Sequence, residues 1–321
     1  MAPSAQKQLR YLDTQLRGFG FINDLDRAIL QAIAYGDIFD YPLTIEEIHR
    51  YLVGLPASPE TIYQALQSKR LIPKYLACHG GYYYLPGRED LIQLRRERSQ
   101  WAEMKWSQAI FYAAIMAKSP FVRMIGVTGA LSLDNVDQRA DLDYLIVAET
   151  GRLWMCRAFL LVVVHRAKRS GIIICPNYFI TDRVLEFRER NLYTAHELAQ
   201  MVPLYGMGFY TRMRAANSWL YEYLPNAAGP PIRYHLLPHP STPLDPPLKS
   251  FSEAALRLSP GSWLEQWEMN RKIRKLNAKR DGSIEAIFDA DFCKGHFHNH
   301  ATETIQKYEK RIPELGLYIG K

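Results

Sequence analysis

The sequence predicts an α+β protein of several domains, and three observations carry that expectation. Its 321 residues exceed one ordinary domain, and 48% hydrophobic with 23% charged residues is the composition of a folded globular chain. Helical periodicity dominates before residue 120 and after 190, whereas 121–180 alternates strand-like and helical runs. Nine of the nineteen prolines crowd between Pro225 and Pro260, which reads as an extended linker because proline fixes φ and removes a donor. The predicted parts are a terminal helix or tail (1–20), a small helical domain (21–90), a connecting helix (91–118), a mixed sheet with helices (119–225), the Pro-rich linker (226–261) and a basic helical region (262–321).

In the first domain, "LDRAILQAIAY" (25–35) places Leu25, Ile29, Ala32 and Ile33 at helical spacing, with Asp24 as the expected N-cap. "PLTIEEIHRYLVG" repeats the device with Thr44 as cap, Glu47 three residues on and Gly54 closing. "SPETIYQALQSKRLI" does so again from Ser58, and "PKYLACHGGYYYLPG" then sets two β-prone runs around a His-Gly-Gly turn. Three short helices and a hairpin resemble a winged helix-turn-helix. That resemblance implies Gln64, Lys69 and Arg70 as nucleic-acid contacts, although the apolar wing argues for packing on its own protein.

Residues 88–118 read as one long helix. Strand, turn, strand, helix and strand follow in "FVRMIGVTG", "DLDYLIVAE", "RLWMCRAFLLVVVHRAKR" and "GIIICPNYFIT". "NLYTAHELAQMVPLYG" (191–206) reads as an amphipathic helix with His196 structural, and helices are expected again in 262–280 and 301–313.

Composition bounds the function. The longest apolar run, "FLLVVV" (159–164), is far short of the roughly 20 residues of a membrane span, so none is expected. The first residues lack the apolar core of a secretory signal, and Cys78, Cys156, Cys175 and Cys293 form no CxxC pair, so a reduced cytoplasmic protein is expected. A net charge of +7 favours polyanionic partners such as nucleotides or nucleic acid.

The stretch "GVTGALSLDNVDQRADLDYLIVAE" (126–149) carries the chemistry. Side chains alternate along a strand, so Asp141 and Asp143 share a face about 7 Å apart, while Leu145, Ile146, Val147 and Ala148 are apolar on both faces. Charge is confined to the strand's mouth, as either a metal site or a polar cap. Two other Asp-x-Asp occurrences serve as controls: "NDLDRAIL" opens a helix, and "GSIEAIFDADF" has only five residues between its Gly-Ser and its aspartates.

With Gly129-Ala130, ten residues and then "DLDY", the stretch resembles the DNA polymerase β-like nucleotidyltransferases over about residues 119–225. The resemblance implies a metal-dependent transfer of NMP from an NTP, with ATP the expected nucleotide. The acceptor hydroxyl would belong to a small molecule, an RNA end or a protein. It implies Mg²⁺ or Mn²⁺ on Asp141, Asp143 and Asn177, and phosphate contacts from Thr128, Gly129, Ala130 and Ser132. Two departures stand out: Ala130 replaces the usual serine, and "GIIICPNYFIT" offers Cys175, Asn177 and, past its end, Asp182, but no carboxylate within the strand. The alternative is a degenerate nucleotide-sensing or DNA-binding regulator that uses the winged helix. Glu149, about 20 Å along the strand, is too far to serve as the third ligand.

Two further runs carry weaker signals. "RKIRKLNAKR" (271–280) holds six cations and no acid, a nucleic-acid contact or a solvated helix face. "CKGHFHNH" (293–300) is either a zinc site through Cys293, His296, His298 and His300 or a loop at the cleft with Lys294 and His296 toward phosphate.

Overall fold

The computed structural model describes residues 23–238, 247–278, 286–295 and 300–314. The fold is mixed α/β. A six-stranded mixed sheet is ordered β6-β3-β4-β5-β8-β7, with β3 Val122–Val127, β4 Leu142–Ala148, β5 Ile174–Thr181, β6 Val202–Tyr205, β7 Ile287–Phe288 and β8 Phe292–Lys294. Only β4 and β5 run parallel, joined by the crossover helix Leu153–Arg169.

The first helix is Asp24–Asp37, and its cap is Asn23 rather than the expected Asp24. The Asn23 side chain accepts from the Asp26 N–H, which leaves Asp24 inside the first turn. Helix Ile45–Arg50 has the predicted capping box of Thr44 and Glu47, and helix Pro59–Gln67 is capped by Ser58. The hairpin joins β1 Ala77–His79 to β2 Tyr82–Tyr84 across Gly80 and Gly81, both at positive φ. Leu43 bridges to Tyr83 and adds a third short pairing. Tyr83 and Tyr84 are buried, so this hairpin packs inward.

The helical unit is seated on the rest of the chain. Arg50 donates to the carbonyls of Ala199, Ala228 and Gly229, and the Gly54 N–H donates to the Tyr223 carbonyl. Its core is continuous with one face of the sheet, through Met124, Leu145, Val147 and Ile180. The opposite face, with Val122, Val127, Tyr144, Ile146 and Phe179, packs on the long helix Asp90–Ala117 and on the crossover helix. Alternation along β4 therefore puts Asp143 on the face toward the N-terminal unit.

Four further expectations are corrected. The expected helix 191–206 stops at Gln200, Met201 turns extended, and 202–205 becomes β6 at the sheet edge, where Pro203 is tolerated. The expected 226–261 linker contains helices Ile232–Leu236 and Pro247–Arg257, and residues 239–246 lie outside the described residues. The region after 262 is not only helical: helices Ser259–Asn277 and His300–Glu314 flank β7 and β8, which complete the sheet. The fourth concerns the strand expected in "GIIICPNYFIT", which as β5 is not regular. Asp143 pairs with Cys175 and Leu145 with Tyr178, so β5 carries one extra residue at Pro176-Asn177, a bulge beside the aspartates.

Candidate active site

Asp141 and Asp143 stand at the start of β4, and Cys175 is the cross-strand partner of Asp143. One oxygen from each carboxylate and the Cys175 Sγ all lie within 4.8 Å of one another. The side chain of Asn177, the expected third ligand, lies outside the described residues. Because of the bulge, Cys175 is the β5 residue that meets the pair.

Gly129 is the other half of the arrangement. It has φ +63, and a Cβ there would stand 2.6 Å from Asp143 Oδ2. Glycine is required twice over, for the left-handed backbone and for the close approach to the carboxylate. The Thr128 N–H donates to the Asp143 carbonyl, which locks β3 to β4 at this point. Gly129 opens a 3₁₀ turn to Leu133, in which the Ser132 hydroxyl donates to the Gly129 carbonyl.

The pair opens into a cavity of about 620 Å³, the size range of small-molecule and cofactor sites. Thr128, Gly129, Ala130, Asp141, Asp143 and Cys175 form one wall. Tyr35 from the N-terminal helix, Phe39 from the turn after it, Leu133 and Asn135, then Tyr193, Glu197 and Gln200 from helix Leu192–Gln200, and Gly295 and His300 complete it. Of the four phosphate-contact candidates, Ser132 is the exception. It lines a different cavity beside Arg50 and Asp134, and its hydroxyl is spent within the turn.

Electrostatics separate the roles. Burial pushes Asp143 up to about 7, the charges of Asp141 and Glu197 add to this, and a hydrogen bond from Cys175 opposes it. Burial, followed by the two aspartates, pushes the Cys175 thiol up to about 12, so at neutral pH it is a protonated donor to the carboxylates. Glu197 is pushed up to about 7 by burial, with Lys294 opposing. No hydrogen bond or ion pair joins the Glu197 carboxyl to another described side chain. Neighbouring His196 lines neither cavity that Glu197 borders; it stacks on Tyr35 at 3.8 Å, and burial lowers it to about 3, so it is the structural residue expected.

Glu197 is the residue that sequence reasoning missed. Helix Leu192–Gln200 buries Leu192, Ala195, Leu198 and Ala199, leaving Tyr193, Glu197 and Gln200 at i, i+4 and i+7 on a common polar stripe. The stripe is visible in the sequence, but a polar helix face is ordinarily assigned to solvent. Here it faces the aspartates.

The remaining candidates lie elsewhere. Glu149 is held by Arg123 and Arg257 at the other end of β4, and Asp182 accepts from Thr150 at the end of β5. Cys293 is buried on the opposite face of the sheet, Lys294 pairs with Glu189 at 3.1 Å, and His296 and His298 lie outside the described residues; among the described residues of that run, Gly295 and His300 line the cavity. Arg70 is committed to the buried Asp26 through two hydrogen bonds, whereas Gln64 and Lys69 are exposed. Among the described residues no helix is long and apolar enough to cross a membrane. Comparison with protein-family models, curated proteins and solved structures finds no match for the chain.

Proposed function

We propose that the protein transfers a nucleoside monophosphate from a nucleoside triphosphate, ATP being the expected donor, to an acceptor hydroxyl, which loses its proton as the α–β phosphoanhydride bond breaks and pyrophosphate leaves. The observation that carries this reading is the close approach of Gly129 to Asp143 at the mouth of a large cavity: a turn whose glycine has no side chain is held against paired carboxylates where a phosphate chain and its counter-ion would lie.

The donors suit a divalent ion. Asp141 and Asp143 would hold Mg²⁺ or Mn²⁺ through oxygen, and the protonated Cys175 thiol suits an orienting role better than ligation of a hard cation. When bound, such an ion neutralises phosphate charge and polarises the phosphoryl centre. The chain's own residues supply the rest. The backbone at Thr128–Ala130 borders the cavity with no side chain larger than threonine, which leaves room for phosphate oxygens. Glu197, across the cavity and near 7, is placed to take the proton of an acceptor hydroxyl.

The regulator reading has less support. Arg70 is engaged within the domain and the wing strand packs inward, so a duplex would meet only part of the expected surface.

The test is incubation with α-labelled NTPs, Mg²⁺ or Mn²⁺ and cell extract, alongside an Asp141→Asn, Asp143→Asn double variant. Label transferred by the wild type alone is expected, with Glu197→Gln slowed but still binding Mn²⁺. Equal labelling by wild type and double variant removes the enzyme reading.

A further inference from the structure

Helices Pro247–Arg257 and Ser259–Asn277 pack on the core through Leu256, Met269, Ile273 and Leu276 together with buried charged groups, yet leave a second apolar face outside. The first buries Lys249 and Glu253, and the second buries Glu265 and Glu268. Outward point Leu248, Phe251, Leu258, Trp263, Leu264 and Trp267, with Leu248 76% and Trp263 65% exposed.

The inner polar face fixes this orientation. The Lys249 Nζ donates to the carbonyls of Ala117 and Val122 and to the Tyr205 hydroxyl, each at 3.0 Å. Glu253 accepts from the Phe121 N–H and from Arg123, and Glu265 accepts from the N–H groups of Trp154 and Met155. Rolling either helix to hide its apolar side would strand these buried groups, so the apolar side stays outside.

Charge identifies what the face meets. The only acids in 247–278 are Glu253, Glu265 and Glu268, and all three are buried. On the outer stripe of the second helix, Trp263 and Trp267 are followed at helical spacing by Arg271 and Arg274, with Lys275 beside them and exposed. Arg271 lies 5.1 Å from the Trp267 ring centre while also pairing with Glu268. An outward face with tryptophan, leucine and phenylalanine at one end, cations at the other and no acid matches the boundary of an anionic bilayer.

We infer that this helix pair seats the protein on anionic lipid, with the apolar side chains at the acyl boundary and Arg271, Arg274 and Lys275 among the headgroups. A second copy of the chain fits less well, because the face carries no exposed acid to pair with the cations of a copy. Single-stranded RNA would use the tryptophans, but Leu248, Leu258 and Leu264 have no ring face on which a base can stack. The inference stands apart from the nucleotidyl-transfer reading.

The test uses the full-length protein in flotation with phosphatidylcholine vesicles, with and without phosphatidylglycerol, at low and high salt. Binding is expected only to the anionic vesicles, weakening with salt, and with tryptophan fluorescence quenched by brominated acyl chains. Arg274→Gln with Lys275→Gln should lower partitioning roughly 25-fold, at about fivefold per charge. Phe251→Ser with Trp263→Ser should lower it roughly tenfold or more. Both variants should unfold thermally like the wild type, since every altered side chain is exposed. Absence of anionic-vesicle binding overturns the inference. So does salt-sensitive binding of oligouridylate without vesicle binding, or a dimer that the Phe251→Ser, Trp263→Ser variant dissociates without vesicle binding.

Discussion

Gly129→Ala tests the centre of the site. At φ +63 any side chain incurs the left-handed penalty, about 1–2 kcal/mol. The new Cβ would also stand 2.6 Å from Asp143 Oδ2, so the carboxylate must leave its rotamer, at about 1 kcal/mol more. Gly151 is the internal control: it has φ +72 with nothing within 4 Å of a Cβ, so Gly151→Ala incurs only the backbone penalty. Gly129→Ala should lower the melting temperature by roughly 4–10 °C and exceed Gly151→Ala by about 1 kcal/mol. It should also weaken Mn²⁺ binding in a paramagnetic-resonance titration, which Gly151→Ala leaves unchanged. Placing Gly129→Ala in an Asp143→Ala background removes the crowding oxygen, so the excess over Gly151→Ala should vanish in the double-mutant cycle. Equal losses for the two glycines, or additivity in the cycle with unchanged Mn²⁺ affinity, would refute the packing of Gly129 on Asp143.

Asp143→Asn should stabilise the metal-free protein at high pH. The carboxyl is raised from 3.8 to about 7, so its contribution is fully present below about pH 4 and is lost as the pH rises through 7. The amide stays neutral throughout, so urea unfolding in chelator should show a gain on the order of 2 kcal/mol at pH 8 and none at pH 4. Arg50→Ala removes hydrogen bonds to three carbonyls that join the N-terminal unit to the segment around Ala199 and Gly229. A loss of about 2 kcal/mol is expected, together with faster proteolytic cleavage between the unit and the sheet.

Much of the local structure was legible because its causes are local. Thr44 with Glu47, and Ser58, cap helices where their side chains reach backbone N–H groups three residues on. The Gly80-Gly81 turn follows from a backbone that only glycine adopts readily. Where the outcome depended on a distant partner, sequence reading failed. Residues 202–205 leave the helix to pair with β3, and 292–294 pair with β5 while 287–288 pair with 293–294, because a sheet edge was there to receive them.

The site divides along the same line. By itself the sequence determined that Asp141 and Asp143 share a face at the mouth of an apolar strand, and that a glycine stands twelve residues ahead of Asp141. These are consequences of period and spacing along one chain. Only the tertiary structure decided that a bulge presents Cys175 to the pair, that Glu197 faces the aspartates from a helix, and that Tyr35 and Phe39 close the cavity from the N-terminal unit. A polar stripe or an exposed ring has the same sequence signature whether it meets water or a carboxylate. The packing of one helix against a sheet face made the difference.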